Sequence, residues 1–187
     1  MLVVGLGNPG RRYEGTRHNV GFDVLDTLAS RRGLRFRSAP FWRPVARVAR
    51  DDGAIWIKPS TWMNRSGRAI VWAQHRYAIG EARCLAVFDD ADLPLGQLRL
   101  RSSGGHGGHN GVRSLMEELG NGDFDRIRIG VAGNGRRDGK LADYLLARFD
   151  SDEEEIVARS VALAADAVSC VLERGFEHAM NLFNHRR

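Results

Sequence analysis

Apolar positions along the chain fall into short runs separated by longer stretches with helical spacing. Leu2-Val3-Val4 is a brief buried strand, and Cys84-Leu85-Ala86-Val87-Phe88 is a second continuous apolar run of strand length. Gln97 to Arg101 and Arg126 to Val131 alternate polar and apolar residues, which predicts strands with unlike faces. Val45 to Arg50 and Ala54 to Lys58 form a predicted hairpin around Asp51-Asp52-Gly53. Elsewhere the period lengthens. Val20, Val24, Leu25 and Leu28 share one helical face, with Gly33 just past its end. Ala69 to Ile79 is helical with Gly80 as a stop, and Val112 to Leu119 is a short amphipathic helix stopped by Gly120. Asp152 to Glu173 and Phe176 to Phe183 close the chain as helices, the first opened by a capping-box pattern in Ser151-Asp152-Glu153-Glu154. Leu34 to Pro44, holding Pro40, Phe41 and Trp42, is an irregular surface segment with an aromatic anchor, and Asn134 to Lys140 is a basic loop. Strands alternating with helices predict one α/β domain over residues 1–187. Its three α/β/α layers enclose a central twisted sheet, mostly parallel and made mixed by the hairpin.

A chain of 187 residues is ample for a single core. No apolar run approaches membrane-spanning length, and Met1 leads into a strand instead of a signal peptide. The expectation is a cytoplasmic protein with no membrane partner. Cys84 and Cys170 match no metal or redox spacing and are expected as buried thiols. The net charge of +5 is carried almost wholly by arginine, since only Lys58 and Lys140 are lysines. Guanidinium forks fit phosphates, which points to a nucleic-acid or phosphorylated partner, although a codon preference for arginine gives the same skew.

The chemistry lies in the loops. Gly104 to Gly111, GGHGGHNG, contains only glycine, histidine and asparagine and joins a strand to a helix. Such a turn brings backbone N–H groups close to an anion or carbonyl, with a helix N-terminus behind it. The glycines alone equally describe a flexible surface loop; His106, His109 and Asn110 favour a site. Gly5-Leu6-Gly7-Asn8-Pro9-Gly10 formally matches the dinucleotide-binding fingerprint. Pro9 and the polar run Arg11 to Gly15 cannot begin its helix, and no acidic residue ends a second strand about 20 residues on, so that reading is rejected. His18 stands at the mouth of a helix beside a polar loop. Trp62 and Met63, after the hairpin, either fill the core or line a pocket. Asp89, Asp90 and Asp92 lack the spacing of a metal site and form either a solvated turn or a carboxylate that orients a histidine. Asn8, His18, Asn64, Asp89 and Asn110 all lie in or beside loops that follow strands, so they are candidates for one cleft. These residues include no strong nucleophile. They permit a histidine base acting on water, a carboxylate that fixes its tautomer, and amides that hold an oxyanion, which suits hydrolysis of an ester.

GLGNPG with Tyr13 and TRHN, then KPSTWMN, FDDADLP, GGHGGHNG and FDRIRIG closely resemble, in order and over the whole chain, the bacterial peptidyl-tRNA hydrolases. The resemblance implies cleavage of the ester between a peptide and the 3′ ribose of tRNA, by a monomer needing no metal, cofactor or obligate protein partner. It implies His18 as catalytic base, Asp89 as its orienting carboxylate and Asn8 as the residue distinguishing blocked from free aminoacyl-tRNA. Tyr13, Trp62, Asn64 and Asn110 match tRNA or substrate contacts. Met63, Gly107 and Gly108 match the lining of a peptide cleft, and Arg101 with Arg128 a pair that grips a phosphate. Two positions depart from the family pattern: Phe88 stands where histidine is frequent, and Trp62 where phenylalanine is. Chloroplast RNA-splicing factors share this scaffold and bind partners without hydrolysis. The set His18, Asp89, Asn8, Asn64 and Asn110, with no transit extension ahead of it, favours the hydrolase.

Overall fold

The two periodicities sort the chain into strands and helices much as the pattern predicts. A computed structural model describes residues 1–39, 44–79, 83–133 and 140–184. Pro40, Phe41 and Trp42, the Gly80 stop, and positions 134–139 of the basic loop lie outside the described residues. The strands are β1 (Leu2–Gly5), β2 (Arg37–Ala39), β3 (Ala46–Arg50), β4 (Ile55–Pro59), β5 (Cys84–Pro94), β6 (Leu98–Arg101) and β7 (Asp125–Ala132). They form a mixed sheet in the order β2-β3-β4-β1-β5-β7-β6. Pairings β4–β1, β1–β5 and β5–β7 are parallel, whereas the hairpin pairs β2–β3 and β3–β4 and the edge pair β6–β7 are antiparallel.

Helices α1 (Val20–Arg31), α5 (Glu154–Arg174) and α6 (Phe176–Phe183) cover one face of the sheet, and α2 (Gly67–Tyr77) and α3 (Asn110–Leu119) the other. Val3, Leu85, Val87, Ile127 and Ile129 point into the α1/α5 core, while Leu2, Val4, Ala86 and Phe88 point into the α2/α3 core. This is the alternation a sheet buried on both sides requires. Helix α1 meets the sheet backbone to backbone. A Cβ on Gly21 would lie 2.3 Å from the Val87 carbonyl oxygen and 2.6 Å from that of Leu6, and one on Gly5 would lie 2.3 Å from the Gly21 oxygen. That approach sets the residues just before α1 over the end of β5.

Several boundaries differ from expectation. Strand β2 forms within the segment expected to be irregular, because Arg37–Ala39 pairs with β3. Strand β5 runs past Phe88 to Pro94 because β7 continues alongside it, so Asp89 opposes Ile129 inside a strand instead of following one. Helix α4 (Leu141–Leu146) buries no residue and therefore left no apolar period. The capping box does not form. Glu153 occupies the N-cap of α5 with no side-chain cap, and its Oε2 instead accepts the Asp150 N–H at 3.0 Å. Both cysteines are buried, and burial pushes the Cys84 thiol up to about 12. No helix among the described residues is long and apolar enough to cross a membrane.

Asp23 on α1 carries a local cost. Burial, then the charge of Asp26, raise its carboxyl to about 6, and Lys58 offsets them only in part. A carboxyl whose folded value is raised stabilises most below its unfolded value of 3.8 and loses that contribution as pH rises through about 6. Asp23→Asn is therefore expected to stabilise the fold by about 1–2 kcal/mol at pH 7.5 and far less at pH 4. Urea unfolding at the two pH values checks this, and an equal gain at both would refute it.

Candidate active site

His18 lies in a 3₁₀ turn, Arg17–Asn19, that runs directly into α1. Its Nδ1 stands 2.9 Å from both Asp89 Oδ1 and Asp89 Oδ2. Asp89 is 2% exposed and takes a second contact, from His109 Nε2 at 3.0 Å to Oδ1. The tautomer of His109 follows from the other side of its ring. Its Nδ1 caps α3, accepting the N–H groups of Gly111 at 3.1 Å and Val112 at 3.2 Å. Nδ1 is therefore unprotonated, and Nε2 carries the hydrogen it donates to Asp89. With an ionised Asp89 accepting from both rings, His18 donates from Nδ1 and keeps its Nε2 lone pair for another proton. Burial lowers the His18 pKa, but the charge of Asp89 and the hydrogen bond to it outweigh burial and raise it above 6.5. Burial pushes Asp89 upward, and the two histidines more than reverse this and hold it far below the usual carboxylate range.

Asn8 belongs to a second hydrogen-bonded group next to the first. Its Oδ1 accepts the Met63 N–H at 2.9 Å, its backbone N–H donates to Asn19 Oδ1 at 2.8 Å, and Asn19 Nδ2 donates to the Asn8 carbonyl at 3.0 Å. Because a backbone N–H fixes Asn8 Oδ1 as acceptor, Nδ2 is left as a donor. Met63 is buried in the α2/α3 core, whereas Trp62 is half exposed and meets Tyr13 edge to face with ring centroids 6.0 Å apart. Arg12 stacks over both rings. Asn64 and Asn110 are exposed.

Residues 2–187 match the model of the peptidyl-tRNA hydrolase family. The chain is 44% identical to a peptidyl-tRNA hydrolase of Chloroflexus aggregans and 41% identical to one of Thermoanaerobacter sp., each alignment covering 98% of both chains. The chain belongs to the peptidyl-tRNA hydrolase family. Its fold matches the crystal structure of the Acinetobacter baumannii peptidyl-tRNA hydrolase with a TM-score of 0.89 at 32% identity, over 100% of this chain and 95% of that one. As a member of the family, the chain is a hydrolase of ester bonds.

Within this peptidyl-tRNA hydrolase fold two recesses each hold part of the expected set, and His18 lines neither. One, of about 300 Å³, is lined by Asp89, His109, Gly107, Gly108, Arg101 and Arg128, among others. The other, of about 160 Å³, holds Asn8 and Asn19 with Lys58 and Arg47. Trp62, Met63, Asn64 and Asn110 line neither. Gly107 and Gly108 adopt φ of 53° and 79°, the left-handed region that favours glycine.

Three further positions hold the site: His109, which the glycine loop already offers as a candidate, and Arg126 and Arg17, which residue types do not mark. His109 orients Asp89. Arg126 donates to the carbonyls of Gly105 at 2.6 Å, Gly104 at 2.5 Å and Gly122 at 3.0 Å, pinning the start of the glycine loop. Arg17, beside His18, is buried against Glu153 and the Arg148 carbonyl, under the rings of Tyr144 and Phe149. The sequence marks the first of these by a histidine in a glycine-rich loop, immediately before a helix. His18, Asp89 and His109 also offer ligand atoms within 4.8 Å of one another. A cation there would need the His109 Nε2 proton removed while Nδ1 still accepts two N–H groups, so the donor set fits a hydrogen-bonded cluster better than a metal site.

Proposed function

We propose that this chain hydrolyses the ester between a peptidyl or N-blocked aminoacyl group and the 3′ ribose of tRNA, with His18 as general base on water. The observation that carries this reading is the His18–Asp89–His109 chain, which leaves His18 Nε2 as acceptor. Asp89 holds the tautomer and stabilises the imidazolium formed when water gives up its proton. Asn8 Nδ2 is the donor offered to the acyl amide, which explains a preference for blocked over free aminoacyl groups. Tyr13, Trp62, Asn64 and Asn110 contact tRNA or the acyl chain, Met63, Gly107 and Gly108 border the peptide, and Arg101 with Arg128 meet a phosphate. The enzyme acts as a cytoplasmic monomer without metal, cofactor or obligate protein partner.

Release of N-acetylaminoacyl groups from tRNA, run beside the same tRNA carrying an unblocked amino acid and with added chelator, tests this directly. Cleavage of the blocked substrate alone, unchanged by chelator, is expected. Tight tRNA binding without cleavage would place the protein among RNA-binding scaffolds instead.

A further inference from the structure

Strands β6 and β7 turn four arginines onto one face of the sheet. Leu98, Leu100, Ile127 and Ile129 are buried in the α1/α5 core, so the alternation directs Arg99, Arg101, Arg126 and Arg128 to the opposite side. The register sets Arg99 against Arg128 and Arg101 against Arg126. Like charges directly opposite destabilise a sheet unless something offsets them. Arg126 is committed to two carbonyls of the glycine loop and to that of Gly122. Arg128 donates from Nε to Asp90 Oδ2 at 2.5 Å and also reaches that oxygen through Nη2. The Asp90 side chain is only 8% exposed, and its Oδ1 accepts the Asp92 N–H at 2.9 Å, which fixes the carboxylate in place. Neither Arg99 nor Arg101 has an ion pair among the described residues. Arg101, Arg128 and Asp90 all line the larger recess.

We propose that Asp90 is an internal competitor for RNA phosphate. Its carboxylate occupies Arg128 in the free protein, so a phosphodiester reaching the recess meets Arg101 unopposed but gains Arg128 only by displacing Asp90. The inference rests on the tRNA-hydrolase reading and adds to it a residue that sets affinity. Asp90 holds tRNA binding below what the arginine face would otherwise give, which favours departure of the deacylated product.

The test is binding of uncharged tRNA across a salt series. Asp90→Asn keeps an oxygen for the Asp92 N–H but removes the charge that occupies Arg128. It is expected to tighten binding several-fold to about tenfold at low salt and to steepen the plot of log K against log salt by about one. In the double variant Asp90→Asn, Arg128→Gln, that gain is expected to vanish. Unchanged affinity and slope in a folded Asp90→Asn variant would overturn the proposal. So would a gain that survives in the double variant, because the lost charge would then act at a distance and not through Arg128. If Asp90→Asn lacks a cooperative thermal transition, Asp90→Ser, which keeps an oxygen acceptor, carries the same comparison. Because this readout needs no turnover, it fails separately from the hydrolase reading, which fails only if the wild-type protein does not cleave N-acetylaminoacyl-tRNA.

Discussion

His18→Ala is expected to lower kcat on N-acetylaminoacyl-tRNA by about 10²–10⁴, the usual worth of a positioned general base. The affinity for uncharged tRNA should stay as it is. The His18 imidazole sits in a turn ahead of α1, and the packing that places α1 runs through Gly21 and Gly5, so removing the ring leaves the scaffold intact. The pH profile supplies a second check. A base works when unprotonated, and Asp89 holds the His18 pKa above 6.5 despite burial. Activity should therefore fall as pH drops through a value above 6.5, and the acid limb of kcat/KM is expected there in the wild type. Turnover in His18→Ala comparable to wild type, with the same acid limb, would remove His18 from the reaction.

Asp89→Asn should cost a comparable factor, about 10³–10⁴, the order that loss of the correct tautomer costs in Ser-His-Asp sites. The reason lies in a count of donors. Asp89 accepts from two rings, and the tautomer of His109 is fixed because Nδ1 caps α3. An amide has one acceptor and one donor end, so if Oδ1 keeps the bond from His109, the NH₂ group faces His18 Nδ1. His18 must then accept at Nδ1 and carry its proton on Nε2, where it cannot take one from water. The attraction that raised His18 is lost as well while burial remains, so its pKa should drop below the ordinary value. Imidazole NMR would show both changes, a proton on Nε2 and a lowered titration, with tRNA affinity preserved. A variant that retained the Nδ1–H tautomer yet lost activity would give Asp89 a different role.

What the sequence disclosed tracks burial. Strands β1 and β5 and helices α1, α5 and α6 are legible because each buries an apolar face whose period repeats. The outer half of β5 is not, because Asp89 to Pro94 looks like a turn until β7 is known to lie beside it. Helix α4 buries nothing and leaves no trace. The site divides in the same way. His18 and Asp89 lie in motifs whose residue types state their chemistry. His109 acts through which of its nitrogens holds a proton, and that depends on two N–H groups beyond it in the chain. Helix α3 begins at Asn110, two residues ahead of the apolar pattern, because that ring caps it. Arg126 and Asp90 work through partners brought near only by the sheet, so spacing along the chain is silent about both. The glycine fingerprint near the N-terminus has a packing role. Its physical reason is the space that Gly5 leaves for α1.

The seat of Arg17 has a consequence for when activity arises during synthesis. Arg17 adjoins the proposed base, and Thr16 bridges to Arg148, and the groups that fasten Arg17 come from residues 144 to 153. A chain made from its N-terminus displays His18, Asp89 and His109 well before those anchors leave the ribosome. Arg17 is thus seated only once residues 144 to 153 have folded back over the first turn, so the final fastening of the segment that carries the base waits on sequence made late.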